Sequence, residues 1–176
     1  MDGMEQPKFA TRVLKEQPDL VEFVSRAGQE TKKRITMSQL SQQEVHGIYI
    51  KGKMLAGFAF EPSPYTNTFL GLKENEKVAG IGSFWISRTE RSRLLIHYTA
   101  AIVLSSLIGK KRKLEYIVFS SSNSKVHDIC DVLRFERISF KSQPLLEKDP
   151  CWVYLVRLSW MNFFRFMRLI FTKPQV

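Results

Sequence analysis

The chain has 176 residues, 44% of them apolar, with 27 basic against 17 acidic side chains for a net charge of +10. That length gives one domain as the default and is enough to bury a core, while the charge points toward phosphate groups, nucleic acid or an anionic membrane. No apolar run reaches the roughly 18 residues needed to cross a bilayer, and the first residues, Met1 to Gln6, hold no apolar signal region. With only two cysteines, a reducing cytoplasm is the expected setting, with association to a membrane left open.

In chain order, residues 1 to 7 read as loose. Lys8 to Leu14 is a first strand, with Phe9, Val13 and Leu14 as its apolar members. Pro18 and Asp19 suit the start of a helix whose apolar face is Leu20, Val21, Phe23 and Val24, fading near Gly28. Gln29 to Gln43 is polar and reads as a short helix or a loop. Gly47 to Phe60 reads as a hairpin centred on Lys51-Gly52-Lys53, where glycine tolerates positive φ. Glu61 to Glu76, with Pro62, Pro64, Asn67, Gly71 and Asn75, is a long loop of the kind that shapes a binding site.

Val78 to Ile86 is a mostly apolar run, as expected of a strand covered on both faces. Ser87-Arg88-Thr89-Glu90 fits a capping box. Leu94 to Leu107 is apolar nearly all round and predicts a buried helix, which Gly109 can cap. Leu114 to Phe119 is the next strand, and Ser124 to Leu133 a second helix. Two buried strands joined through a helix imply a parallel pair. Phe135 to Phe140 and Trp152 to Leu158 read as the last strands, separated by a turn-rich stretch from Lys141 to Pro150. The expected fold class is therefore mixed α/β: a central sheet of about six or seven strands with helices on both faces.

From Arg88 to Lys125 eight basic residues stand against two acidic ones. Cys130 and Cys151 have no metal-type spacing, and no metal is expected. His97 falls in the apolar helix and reads as a core histidine, whereas His46 and His127 read as surface or edge positions. The fourth strand holds no carboxylate; Glu61 and Glu74 border the long loop and are candidates for a base, with no neighbouring residue to support the role. Ser159 to Lys173 predicts an amphipathic helix whose narrow polar stripe is Asn162, Arg165, Arg168 and Thr172. The chain thus divides into a domain over 1–158 and a carboxyl-terminal helix and tail over 159–176. Through residues 160–171 that helix is expected to cover the sheet, to lie at a membrane surface or to form a homodimer contact.

The text Asn123-Ser124-Lys125-Val126-His127-Asp128-Ile129-Cys130-Asp131-Val132-Leu133-Arg134-Phe135-Glu136, with the element order around it, resembles the GNAT superfamily of acyl-CoA-dependent N-acyltransferases. Asn123, Leu133, Phe135 and Glu136 match that family in type and spacing. Arg134 stands where glycine is usual, and Cys130 where tyrosine is usual. The family's other signature, an arginine followed by alternating glycines, aligns with Arg91-Ser92-Arg93-Leu94-Leu95-Ile96, which keeps the arginine and none of the glycines. The resemblance implies an acetyl-CoA or longer acyl-CoA cosubstrate, an amine acceptor and N-acyl transfer. It places the thioester in a splay between the strands ending near Ile86 and Phe119. The coenzyme would be held by Ile86, Arg88, Arg91, Ser92, Arg93, Leu94, Leu95 and Asn123, and the leaving thiolate would take its proton from Cys130. The missing glycines and tyrosine leave two other readings open: a GNAT-fold binding module without the reaction, and a basic protein that binds anionic membrane or nucleic acid.

Overall fold

The structure, a computed structural model, describes residues 9–31, 34–90, 92–121, 124–138 and 152–171. Residues 1–7, the 141–150 connection, Arg91, Asn123, Cys151, Thr172 and Lys173 lie outside them. The fold is mixed α/β, with seven strands in one sheet ordered β1-β2-β3-β4-β5-β7-β6. In chain order the elements are β1 (Phe9–Leu14), α1 (Gln17–Thr31), α2 (Met37–Leu40), β2 (Glu44–Ile50), β3 (Lys53–Pro62), β4 (Val78–Ile86), α3 (Arg93–Lys110), β5 (Tyr116–Ser121), α4 (Ser124–Val132), β6 (Glu136–Ile138), β7 (Trp152–Arg157) and α5 (Trp160–Phe171). They divide into two compact units, residues 1–61 with 82–102, and residues 62–81 with 103–176.

In the first unit, β1, β2 and β3 pair antiparallel. The β2–β3 hairpin turns on two residues, Lys51 and Gly52, both at positive φ (51° and 79°), as the twist of a two-residue hairpin demands. Phe23 and Ala27 of α1 enter a core with Leu14, Val45, Tyr49, Met54, Ala59 and Trp85. Phe23 meets Trp85 edge to face, with ring centroids 5.9 Å apart. The polar 29–43 stretch contains α2, closed by a full capping box between Thr36 and Gln39. The first half of α3 is tied to β1 by Tyr98, whose ring lies 4.4 Å from that of Phe9 and whose hydroxyl bonds Thr11.

Three expectations are corrected here. His46 is 6% exposed, stacked on Phe58, edge-on to Phe60 and hydrogen-bonded to Glu44, because β2 is covered on both faces over residues 45–49. The strand β4 is not covered on both faces: only Gly80 and Trp85 are buried, and Phe84 is 48% exposed. The helix α3 is half-buried rather than enclosed, with Leu94 53% exposed.

In the second unit, β4 and β5 run parallel and pair over three residues, Val78↔Tyr116 to Gly80↔Val118. Strand β7 lies antiparallel to both β5 and β6. Leu70, Val118, Val153 and Leu155 form the core. The 63–77 loop is strapped by Asn67, whose amide donates to the carbonyls of Lys73 and Glu76, each at 2.8 Å. Gly109 does not cap α3; it lies inside the last turn, which closes on bonds from Lys113 and Leu114 to the Lys110 carbonyl. The helix α4 ends in a Schellman motif: the Arg134 amide bonds the Asp131 carbonyl and the Phe135 amide that of Cys130. Arg134 takes the left-handed position of that motif, at φ 56°.

Candidate functional site

In the first unit, three local choices converge on one carboxylate. Glu61 follows the buried run 54–60 of β3 and is half-buried. Its side chain lies directly over the backbone of Gly82, so close that a Cβ there would meet Glu61 Oε1 at 2.6 Å. Only glycine leaves that space, which is the usual reason for a glycine within a strand. The next residue, Ser83, sits at φ 51° and breaks the pleat of β4 beside the carboxylate. A non-glycine residue in that region is strained, and such departures gather at functional sites. Gln43 supplies the third element: its Nε2 donates to Glu61 Oε2 at 2.8 Å, while its own Oε1 is buried without a partner. Burial pushes the Glu61 carboxyl above the usual carboxylate range, and the Gln43 bond only partly opposes this. A carboxylate raised in this way is a better proton acceptor near neutral pH. Glu74, the other acid proposed as a base, is exposed on a turn of the second unit.

The start of α3 is the second feature of this unit. The expected capping box does not cap the helix. Ser87 Oγ does accept the Glu90 amide, but the Glu90 carboxylate pairs with Lys53, and the helix begins at Arg93. Ser92 is the capping residue, its Oγ accepting the Leu95 amide at 3.1 Å and its carbonyl the Ile96 amide. Helix geometry leaves the Arg93 and Leu94 amides without an intrahelical acceptor. Of the residues expected to hold a coenzyme, Ile86 closes β4, and Arg93 and Leu94 are exposed at the helix start. Leu95 is fully buried with its amide taken by Ser92. Arg88 is turned toward Glu30, which accepts its backbone N–H at 3.0 Å and lies 3.9 Å from its guanidinium.

In the second unit, Cys130 is 2% exposed on α4. Burial and the neighbouring Asp131 push its thiol up to about 12. Tyr154 lies nearby on β7, stacked on Phe119 at 5.4 Å and tilted against His127 at 5.9 Å. Arg137 stands over the Trp152 ring and holds Asp131 through two bonds of 2.6 and 2.7 Å.

Comparison with solved structures decides what this sheet order is. An N-acyl amino acid synthase, FeeM, from uncultured soil microbes superposes with a TM-score of 0.68 at 14% identity, over 89% of this chain and 93% of its own. The fold is that of the GNAT acyltransferases. The CoA-dependent acyl-homoserine lactone synthase BjaI, solved with SAM and isopentyl-CoA, matches at 0.65 and 10% identity over 94% of this chain and 90% of its own. The ribosomal-protein-S18-alanine N-acetyltransferase from Escherichia coli matches at 0.65 and 11% identity over 86% and 95%. No protein-family model and no curated protein sequence matches the chain. The likeness is therefore one of fold, carried by the order of sheet and helices at 10–14% identity.

The Glu61–Gly82 seat escaped the sequence reading. Its signal was the pair Gly80 and Gly82 inside an apolar strand, which marks close approach by another group. The Ser92 cap also has a sequence signal, a serine directly before an apolar run.

Proposed function

We propose that the chain is an acyl-CoA-dependent N-acyltransferase in which Glu61 takes the proton from the acceptor amine. The observation that supports this most is the Glu61 carboxylate, raised by burial and seated on Gly82, in a fold shared with acyl-transferring enzymes. The nitrogen, neutral once Glu61 has taken the ammonium proton, attacks the thioester carbonyl carbon; the C–S bond breaks as the tetrahedral adduct collapses, and the second proton that the nitrogen sheds goes to the departing coenzyme thiolate. The amides of Arg93 and Leu94 and the partial positive charge of the α3 start suit the pyrophosphate, with the Arg93 side chain at hand. This replaces the wrap that glycines would otherwise allow. Cys130 is neutral at pH 7, but with its thiol pushed up to about 12, giving its proton to a thiolate with a reference pKa of about 8.5 is strongly uphill.

Titration calorimetry with acetyl-CoA, octanoyl-CoA and a longer acyl-CoA is the first test, followed by thiol release across a panel of amines. Binding of at least one donor, with turnover that falls about 100-fold in Glu61→Gln at unchanged donor affinity, is expected for a lost general base. Binding without turnover on any amine would leave a binding module. No heat with any donor would remove the acyl-CoA reading.

A further inference from the structure

We propose that the outward face of α5, with the basic turn beside it, docks on an anionic phospholipid bilayer. The helix buries Phe163, which is 5% exposed, and turns Trp160, Met161, Phe164 and Met167 outward at 56, 60, 70 and 40%. Residues 160, 164 and 167 stand four and three apart, so they share one arc of the helix, with Met161 adjoining Phe164. These four are a third of the twelve large apolar side chains exposed among the described residues, on a single element. Tryptophan and phenylalanine are the side chains that settle at the boundary between headgroups and acyl chains.

Charge selects the partner. The Lys111 ammonium lies 4.6 Å from the centre of the Trp160 ring, joining the apolar arc to the turn that follows α3. That turn lines an open groove of about 360 Å³, whose basic members are Lys73, Lys77, Lys111, Arg112 and Lys113. The groove's carboxylates are already engaged: Glu76 accepts the Lys73 amide at 2.6 Å and the Tyr116 hydroxyl, and Glu115 accepts the Lys77 amide. Five cations against two such acids leave an excess of three positive charges. A second copy of the chain, docking through the same arc, would bring two basic turns together and repel. Nucleic acid would answer the charge but leave Met161, Phe164 and Met167 in water. An anionic bilayer answers both, its headgroup phosphates meeting the groove while the α5 arc enters the interface. No described helix is long and apolar enough to cross a membrane, so the contact is peripheral.

The test is flotation of the full chain with vesicles of phosphatidylcholine alone and of phosphatidylcholine with phosphatidylglycerol, at low and high salt. Flotation with the anionic vesicles at low salt is expected, and at high salt or on neutral vesicles at least about tenfold less. The double variant Trp160→Ser/Phe164→Ser and the charge variant Lys111→Glu/Lys113→Glu should each lose binding with unchanged circular dichroism and melting. All these side chains lie outside the core, and the two variants remove the two components separately. Absence of flotation on anionic vesicles would overturn the proposal, as would binding that survives both variants. A dimer that Trp160→Ser/Phe164→Ser dissociates, with no vesicle binding, would assign the face to a second copy instead.

Discussion

Glu61 is a carboxylate whose folded pKa lies above its ordinary value near 4.5, and this has a consequence for stability as well as chemistry. The fold favours the protonated form, so the stabilisation from this group is complete below the unfolded value and is lost as pH rises through the folded one. Glu61→Gln should therefore gain stability relative to the parent as pH rises above the ordinary carboxylate value, read as a growing difference in urea midpoint, while losing turnover. Gly82→Ala is expected to push the carboxylate off its seat. The displaced atoms are the end of a flexible side chain, so the stability cost should stay near about 1 kcal/mol while turnover falls far more steeply. Arg134 gives a prediction of opposite sign. It holds a left-handed position at the end of α4 where glycine carries no Cβ penalty. Arg134→Gly should stabilise the chain by about 0.5–1 kcal/mol in denaturant unfolding, the relief of strain exceeding the entropy that glycine adds to the unfolded state. Cys130→Ala should leave kcat within about twofold, since a thiol held near 12 is poorly matched to the leaving group.

At the level of elements, α3 owes its start to Ser92. Ser92→Ala removes the acceptor for the Leu95 amide and should cost about 1 kcal/mol. The same change leaves the Leu95 amide without its intrahelical acceptor, as the Arg93 and Leu94 amides already are. If that start holds the pyrophosphate, donor affinity measured by calorimetry should fall by less than the helix stability does. The strand β4 shows how a glycine-rich text can be misread. Its apolar letters suggested cover on both sides, yet glycine contributes no side chain to bury, and a left-handed Ser83 turns Phe84 outward. The capping signature at Ser87 was likewise sound locally, since Ser87 does bond the Glu90 amide. It failed as a helix boundary because Lys53, from a distant strand, claims the Glu90 carboxylate, and a partner remote in sequence leaves no local trace.

Across the whole molecule, the periodic segments carried the architecture. The run Val78 to Ile86 has the expected bounds, α4 ends one residue short of its expected end, and β5 lies parallel to β4 as the intervening helix requires. The fold resemblance was legible from element order, because order depends on hydrophobic spacing, which the sequence displays directly. The candidate site was much less legible. Glu61 could be named as an acid beside the long loop, but its seat depends on Gly82, 21 positions later, and on Gln43, 18 positions earlier. The burial of His46 was also hidden, since residues 45–49 of β2 are all buried and the cover over its second face, Phe58 among it, comes from a neighbouring strand.

The Lys51–Gly52 turn offers a practical handle. Nothing lies within 4 Å of the position a Cβ would take at Gly52, and both residues of the tip are exposed. A short epitope or a fluorophore-bearing insert should be accepted there with the β2–β3 ladder intact. Surface immobilisation through that tip would leave both chain ends untouched, a convenient geometry for optical sensors or for pulling experiments.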